Sequence, residues 1–373
     1  MFSAQLQTSD IDQLVSQSLL TTTTDVKQCL QQALFKPHDL VTLLSPAAEP
    51  FLEHMAQRSV ALTRQRFGNI MQLFIPMYLS NECFNTCTYC GFSMSHDYPR
   101  KTLTDSEIVE QAKVIAKKGF KHLLILTGES PKKVGVDYIE NAIKLIKPFF
   151  SSIGIEIQPL NLANYSKLIQ AGADSLTLYQ ETYHRESYKK HHLFGMKRQF
   201  NHRLDALEAG AQAGFHRISI GALLGLHDWR YDALALGKHL TYLMAHYWKI
   251  MYSVSFPRIT EMIGDYDVPY EVTTKNLVQL ITAFRCVYPD LGINLSTRES
   301  ATLRDHLMPL GITSMSAESS TAPGGYSESS ATEQFSTTDK RSLEDITLAL
   351  KKNQLEPVFK DWDVAFNHHP SIV

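Results

Sequence analysis

Asn81-Glu82-Cys83-Phe84-Asn85-Thr86-Cys87-Thr88-Tyr89-Cys90-Gly91-Phe92 is the stretch that decides the fold, because its three cysteines stand at CxxxCxxC spacing. Three thiolates so placed can hold three irons of a [4Fe–4S] cluster, which normally takes four cysteine ligands. The fourth iron is then open to a small molecule that binds and reacts there. Two other chemistries of clustered cysteines fit less well. A structural zinc with His96 as fourth ligand lacks the second pair of closely spaced ligands that zinc ribbons and fingers use. Disulfides suit small secreted frameworks behind an apolar leader, whereas this chain carries five cysteines in 373 residues. The clustered thiols read as reduced, intracellular ligands, and the isolated Cys29 and Cys286 as small buried hydrophobes.

Around this stretch, short β-rich runs alternate with helical stretches, the pattern of repeated βα units. The runs are 71–79, 122–128, 154–160, 175–181, 217–225, 251–257, 292–298 and 313–319, eight in all. Thr104-Asp105-Ser106-Glu107 is a capping-box pattern before one helix, and Gly119, Gly172 and Gly214 stand where helices should stop. Eight units predict an α/β fold, a (β/α)8 TIM-type barrel whose active site lies at the C-terminal ends of the strands. Residues 1–70 read as an N-terminal helical extension, 71–320 as the barrel, and 321–373 as a C-terminal loop, helix and tail packing on it. With 44% hydrophobic residues the chain can bury a large core. A net charge of −2 gives no field for nucleic acid or membrane. No apolar run approaches the roughly 20 residues that cross a bilayer, and a cytoplasmic location is expected.

Polar residues gather at the expected strand ends: the cysteine loop, Thr127-Gly128-Glu129, Gln158, Gln180-Glu181 and Arg298-Glu299. One such residue serves equally as the N-cap of the next helix. Four of them beside a metal-ligand loop point to a catalytic mouth.

The cysteine run, with Tyr89 before its last cysteine and Gly91-Phe92 after it, resembles the signature of the radical S-adenosylmethionine enzymes. NECFNTCTYCGFSMSHDYPRKTL, LILTGES, LYQETYH, LSTRES and LGITSMSAESSTAPGGYSE, with EPVFKDWD near the end, span about residues 70–365. Together they are similar to the 2-iminoacetate synthase family, tyrosine lyases of bacterial thiazole and thiamin biosynthesis. The resemblance implies a [4Fe–4S] cluster and S-adenosylmethionine, whose cleavage yields a 5′-deoxyadenosyl radical. That radical takes hydrogen from the amino group of L-tyrosine, and the Cα–Cβ bond breaks to give 2-iminoacetate and 4-methylphenol. Reduced flavodoxin or ferredoxin as electron donor, and a thiazole synthase as recipient of the imine, are implied as partners. The tyrosine lyase of hydrogenase cofactor maturation carries a second cluster on C-terminal cysteines, and here no cysteine follows Cys286. A related tryptophan lyase shares the one-cluster plan, and the KDWD ending favours the thiamin enzyme. In a different class, a non-catalytic metal-binding scaffold would keep the cysteines. It would have no use for separate groups matched to a zwitterionic cofactor and a second carboxylate.

By motif position, the resemblance makes Cys83, Cys87 and Cys90 the cluster ligands. It places Glu129 near the S-adenosylmethionine amine, Glu181 and Arg203 near its ribose and carboxylate, and Tyr89 near adenine. Arg203 also falls in a basic stretch with Arg185, Lys189, Lys190, Lys197 and Arg198, and such runs are usually solvated faces. The same stretch is a candidate landing site for an acidic electron donor. Arg298 is best placed to bind and orient the substrate carboxylate through a bidentate pair, the alternative being a scaffold pair with Glu299 or Glu318. Ser296, Ser316 and Ser319 are expected to orient the substrate amine or phenol, with plain packing as the simpler alternative. The Ser, Thr and Gly-rich segment 319–338 is expected to fold over the mouth and exclude water rather than act as a linker.

Overall fold

A computed structural model describes residues 1–260, 266–327 and 331–360; the Asp361-Trp362-Asp363 part of the ending noted above lies outside them. Eight parallel strands close into a barrel: β1 Ile70–Ser80, β2 His122–Thr127, β3 Ser152–Glu156, β4 Ser175–Thr177, β5 Arg217–Gly221, β6 Met251–Ser255, β7 Gly292–Leu295 and β8 Ser314–Ser316. Closure is made by β1, which pairs with β2 from Ile75 onward and with β8 at Gln72–Phe74. A ninth strand, β9 Glu356–Val358, continues the sheet beside the first residues of β1, so part of the expected C-terminal extended segment is itself sheet.

The helices begin and end where the local chemistry dictates. Thr104 Oγ1 accepts from the Glu107 amide, and the Glu107 carboxylate accepts from the Thr104 amide, which opens the helix Asp105–Lys117. Gly172 and Gly214, both at positive φ, close the helices Leu162–Ala171 and Phe200–Ala213. Outward-facing residues of the strands, such as Ile75, Ile125, Ile155, Ile218, Val254 and Ile293, pack against Ile108, Ile139, Leu168, Leu204, Leu236 and Phe284 of the helices in one core. Ile11, Val26, Leu40 and Met55 of the N-terminal helices join that same core. The first residues are fastened as well: the Phe2 ring stacks on His239 at 4.3 Å, and the Phe2 amide donates to Glu208.

The inside of the barrel is unusual. TIM barrels are normally filled along the axis by layers of bulky branched side chains. Here Ser175, Thr177, Ser219, Ser253, Asn294 and Ser314 line a cavity of about 690 Å³ that runs from the cysteine loop down to Arg66 and Trp248 at the other end. Asn294 Nδ2 donates to Ser219 Oγ and Ser253 Oγ inside it. That volume lies within the roughly 300–1,000 Å³ typical of small-molecule sites.

Candidate active site

The cysteine loop leaves β1 and is pinned on three sides. Phe84 N donates to Glu129 O, Thr88 N to His191 O, and Gly91 N to Gln334 O. These approaches are close enough to demand glycine. A Cβ at Gly128 would stand 2.2 Å from Glu82 O, and one at Gly91 would stand 2.6 Å from Gln334 O. Cys87 is buried, while Cys83 and Cys90 are partly accessible. Cys90 lines the cavity, with Gln334 Nε2 at 3.8 Å from its sulfur. Burial pushes all three thiols up, Cys83 to about 11. Among the described residues no set of three or more His, Cys, Asp and Glu side chains gathers around a single-ion position.

Next to the loop lies a buried charge network. Arg203 Nη1 donates to Glu129 Oε1 at 2.7 Å, its Nε to Tyr179 O at 2.7 Å, and its Nη2 to Glu181 Oε1 at 3.5 Å. Lys197 Nζ reaches the same Glu181 oxygen at 2.6 Å, and Asn85 of the cysteine loop donates to Glu129 Oε2 at 2.8 Å. Arg203 is only 6% exposed, so the solvated-face alternative does not hold. Burial would raise the Glu129 carboxyl, but the cations of Arg203 and Lys197, with hydrogen bonds from Asn85 and Arg203, hold it below its ordinary value. Burial opposes the charged forms of Lys197 and Arg203, and the Arg203 cation also opposes that of Lys197. Attraction to Glu181 and Glu129 outweighs both, and the two cations titrate above their usual values.

Glu181 itself has φ 72°, a left-handed conformation that costs a non-glycine residue on the order of 1–3 kcal/mol. Its position is held from behind. Thr182 Oγ1 and Tyr183 N donate to Asp232 Oδ1 at 2.9 and 2.7 Å. Tyr89 is oriented by a histidine whose tautomer follows from its contacts. His192 Nδ1 lies 2.7 Å from Tyr188 O and must donate to that carbonyl, so Nε2 accepts from Tyr89 OH at 2.7 Å. The Tyr89 ring faces the cavity, with Lys197 Nζ 5.7 Å from its centroid.

Arg298, Ser296, Ser316 and Ser319 all line the same cavity as Cys90, Tyr89 and Glu181. The scaffold alternative for Arg298 is not realised. Glu299 is paired with Arg258, and Glu318 with Lys118 and the Leu343 amide. The Arg298 guanidinium lies over the Phe335 ring at 3.4 Å and donates to Thr260 Oγ1 at 3.2 Å. No carboxylate pairs with it among the described residues. Ser319 Oγ is buried with no hydrogen-bond partner, as is Thr127 Oγ1. Described residues of the segment after β8 are tied to β1 and to one another. Tyr78 OH donates to Gln334 Oε1, Thr321 Oγ1 to Phe335 O, and Tyr326 OH to Pro76 O.

One expected strand end is corrected. β3 stops at Glu156, so Gln158 lies past the sheet, whereas beyond Thr177 the β4 line still bonds to β5 through Gln180 N to Gly221 O and the Glu181–Ala222 bridge, as expected. The side chains of Gln158 and Gln180 are spent on Val134 O and Phe200 O respectively, and neither lines the cavity. Glu156 does line it. Its signal was the inward series Ser152, Gly154, Glu156 at strand spacing. Lys197, Asn85 and Gln334 were also missed, since each works through partners distant in sequence.

Comparison with known proteins accords with this geometry. Residues 77–235 match the Radical SAM superfamily and residues 255–356 the Biotin and Thiamin Synthesis associated domain. The 2-iminoacetate synthase of Salmonella typhimurium is 46% identical over 344 residues, covering 92% of this chain and 91% of that protein. The chain belongs to the 2-iminoacetate synthase family. The Escherichia coli member is 45% identical over the same share. A crystal structure of HydG, a maturase of the [FeFe]-hydrogenase, superposes with a TM-score of 0.90 at 29% identity over 95% of this chain and 80% of that one. As a family member the chain is a radical S-adenosylmethionine enzyme that uses a [4Fe–4S] cluster and S-adenosylmethionine. The residues present fit those groups: three thiols in one pinned loop, a cavity opening beside Cys90, and unpartnered hydroxyls at Thr127 and Ser319.

Proposed function

We propose that this enzyme cleaves the Cα–Cβ bond of L-tyrosine to 2-iminoacetate and 4-methylphenol, for thiamin thiazole biosynthesis. The observation that carries the reading is a cavity joining the cysteine loop to Arg298, an arginine with no carboxylate partner among the described residues. When bound to Cys83, Cys87 and Cys90, the cluster with S-adenosylmethionine supplies the radical that takes hydrogen from the substrate amine. The chain does the rest. Glu129 receives the cofactor amine, Glu181 and Arg203 hold its ribose and carboxylate region, and the Tyr89 face supports adenine. Arg298 grips the substrate carboxylate by a charge-assisted fork. Ser296, Ser316 and the unpartnered Ser319 orient its amine. The Gln334–Phe335 segment keeps water from the radical.

The test is anaerobic loading with iron and sulfide, then incubation with S-adenosylmethionine, reductant and either tyrosine or tryptophan. The expected result is 4-methylphenol and glyoxylate, the hydrolysis product of the imine, from tyrosine alone; an indole product would overturn it.

Partners follow from the chemistry. A thiazole synthase is the proposed recipient of the unstable imine, and reduced flavodoxin or ferredoxin the electron donor. The segment bonded to the cysteine loop exposes Leu193, Phe194 and Met196 beside the exposed Lys189, Lys190 and Arg198. An apolar patch rimmed by positive charge suits an acidic redox protein. Reversing the charge at Lys189 and Lys190 is expected to slow reduction by that donor on the order of 10-fold at low salt. Turnover driven by a small chemical reductant should be unchanged. Equal rates with the protein donor would remove this surface from consideration. A reducing compartment such as the cytoplasm suits the five free thiols, and no helix among the described residues is long and apolar enough to cross a membrane.

A further inference from the structure

Glu156 is the last residue of β3 and sits in the layer of the barrel that holds Leu126 and Tyr78. It lines the cavity, and among the described residues its carboxylate has neither a hydrogen bond nor an ion pair. A carboxylate half-buried against the cavity with no protein partner is set to meet a group that arrives with a ligand. In the closed ring of strands, β3 and β7 lie on opposite sides. Glu156 at the end of one and Arg298 just past the other therefore bound the mouth from two walls. A ligand anchored by its carboxylate at Arg298 extends toward Glu156.

We propose that Glu156 accepts the hydrogen bond of the substrate's phenol hydroxyl and takes its proton as the Cα–Cβ bond breaks, a role that rests on the tyrosine reading above. The balance is simple. The phenol O–H bond breaks, its electron pair stays on the phenolic oxygen, and an O–H bond forms on the carboxylate. Return of that proton to the product phenolate restores Glu156, and no oxidant or reductant is consumed.

Of the other polar groups of this wall, Tyr78 OH is already engaged, donating to Gln334. Burial raises the Glu156 carboxyl to about 7, with Glu181 adding to the rise and Lys197, Arg203 and Arg298 opposing it. Tyr78 and Tyr179 are the remaining titratable groups facing it, and burial keeps both neutral. A base whose conjugate acid titrates near 7 is closer to a phenol, at about 10, than an ordinary glutamate is.

The test compares Glu156→Gln and Glu156→Asp with the unaltered enzyme, following tyrosine cleavage across pH beside cofactor cleavage without substrate. In the unaltered enzyme kcat/KM should rise with pH through about 7 as Glu156 loses its proton. Glu156→Gln should lose roughly 100-fold in tyrosine cleavage and flatten that limb, while substrate-free cofactor cleavage stays intact and reports a folded, loaded enzyme. Glu156→Asp should recover part of the rate. Glu156→Leu should lose the preference for tyrosine over phenylalanine in binding, because no buried acceptor is then left unpaired by the analogue. An unchanged rate and pH limb in Glu156→Gln would overturn this role alone. Failure of the unaltered enzyme to cleave tyrosine would overturn the substrate reading and this role together.

Discussion

Replacing Arg203 with alanine is expected to lower stability by on the order of 3 kcal/mol and to abolish tight binding of S-adenosylmethionine. Its guanidinium ties Glu129, Glu181 and the Tyr179 carbonyl together from one side chain, and removing one partner of a buried ionic cluster costs about 3–5 kcal/mol. Lys197 remains, but its ion pair is with Glu181, so only its more distant charge and the Asn85 hydrogen bond then oppose burial at Glu129, and the carboxyl rises. The sign of the pH effect follows. In the intact enzyme Glu129 titrates below its ordinary value, so its ion pair contributes at neutral pH and is lost only as pH falls through that depressed value. In the variant the loss begins at higher pH. Lysine should rescue poorly, having a point charge in place of the planar fork. Urea denaturation and equilibrium dialysis of the cofactor would check both effects. Intact stability and affinity would mean that these carboxylates are organised by something other than Arg203.

Arg298→Ala is expected to raise KM for tyrosine by about 100-fold, equivalent to roughly 3 kcal/mol for truncating one side of a buried charge pair. Cofactor affinity should be unchanged. Arg298 leans on Phe335 and Thr260, and these contacts leave its charge unpaired, so removal should be tolerated by the fold. Steady-state kinetics and substrate-free cofactor cleavage separate the outcomes. If cofactor affinity fell with tyrosine affinity unmoved, Arg298 would belong to the cofactor instead.

Much of this was legible from residue order alone, because its determinants are local. Alternation marks the strands, Thr104 and Glu107 mark a helix start, and three thiols within eight residues mark a ligand loop. What stayed hidden depends on contacts between distant segments. Arg203 sits in a basic run that reads as solvated, yet its partner Glu129 lies 74 residues away and draws it inside. Lys197 was hidden for the same reason. The end of β3 was misjudged, because that strand stops at Glu156. Periodicity continued in the sequence past the last ladder hydrogen bond, and the polar role passed from Gln158 to Glu156.

The serine-lined axis has a consequence for how this protein can change. In most barrels, adding methyl groups at inward positions tightens the centre and raises stability. At Ser175, Ser219, Ser253 or Ser314 the same change would take volume from the cavity. The scaffold therefore has to be braced from its circumference. The N-terminal helices and β9 around β1 act as staves and hoop around a hollow that selection for robustness cannot fill.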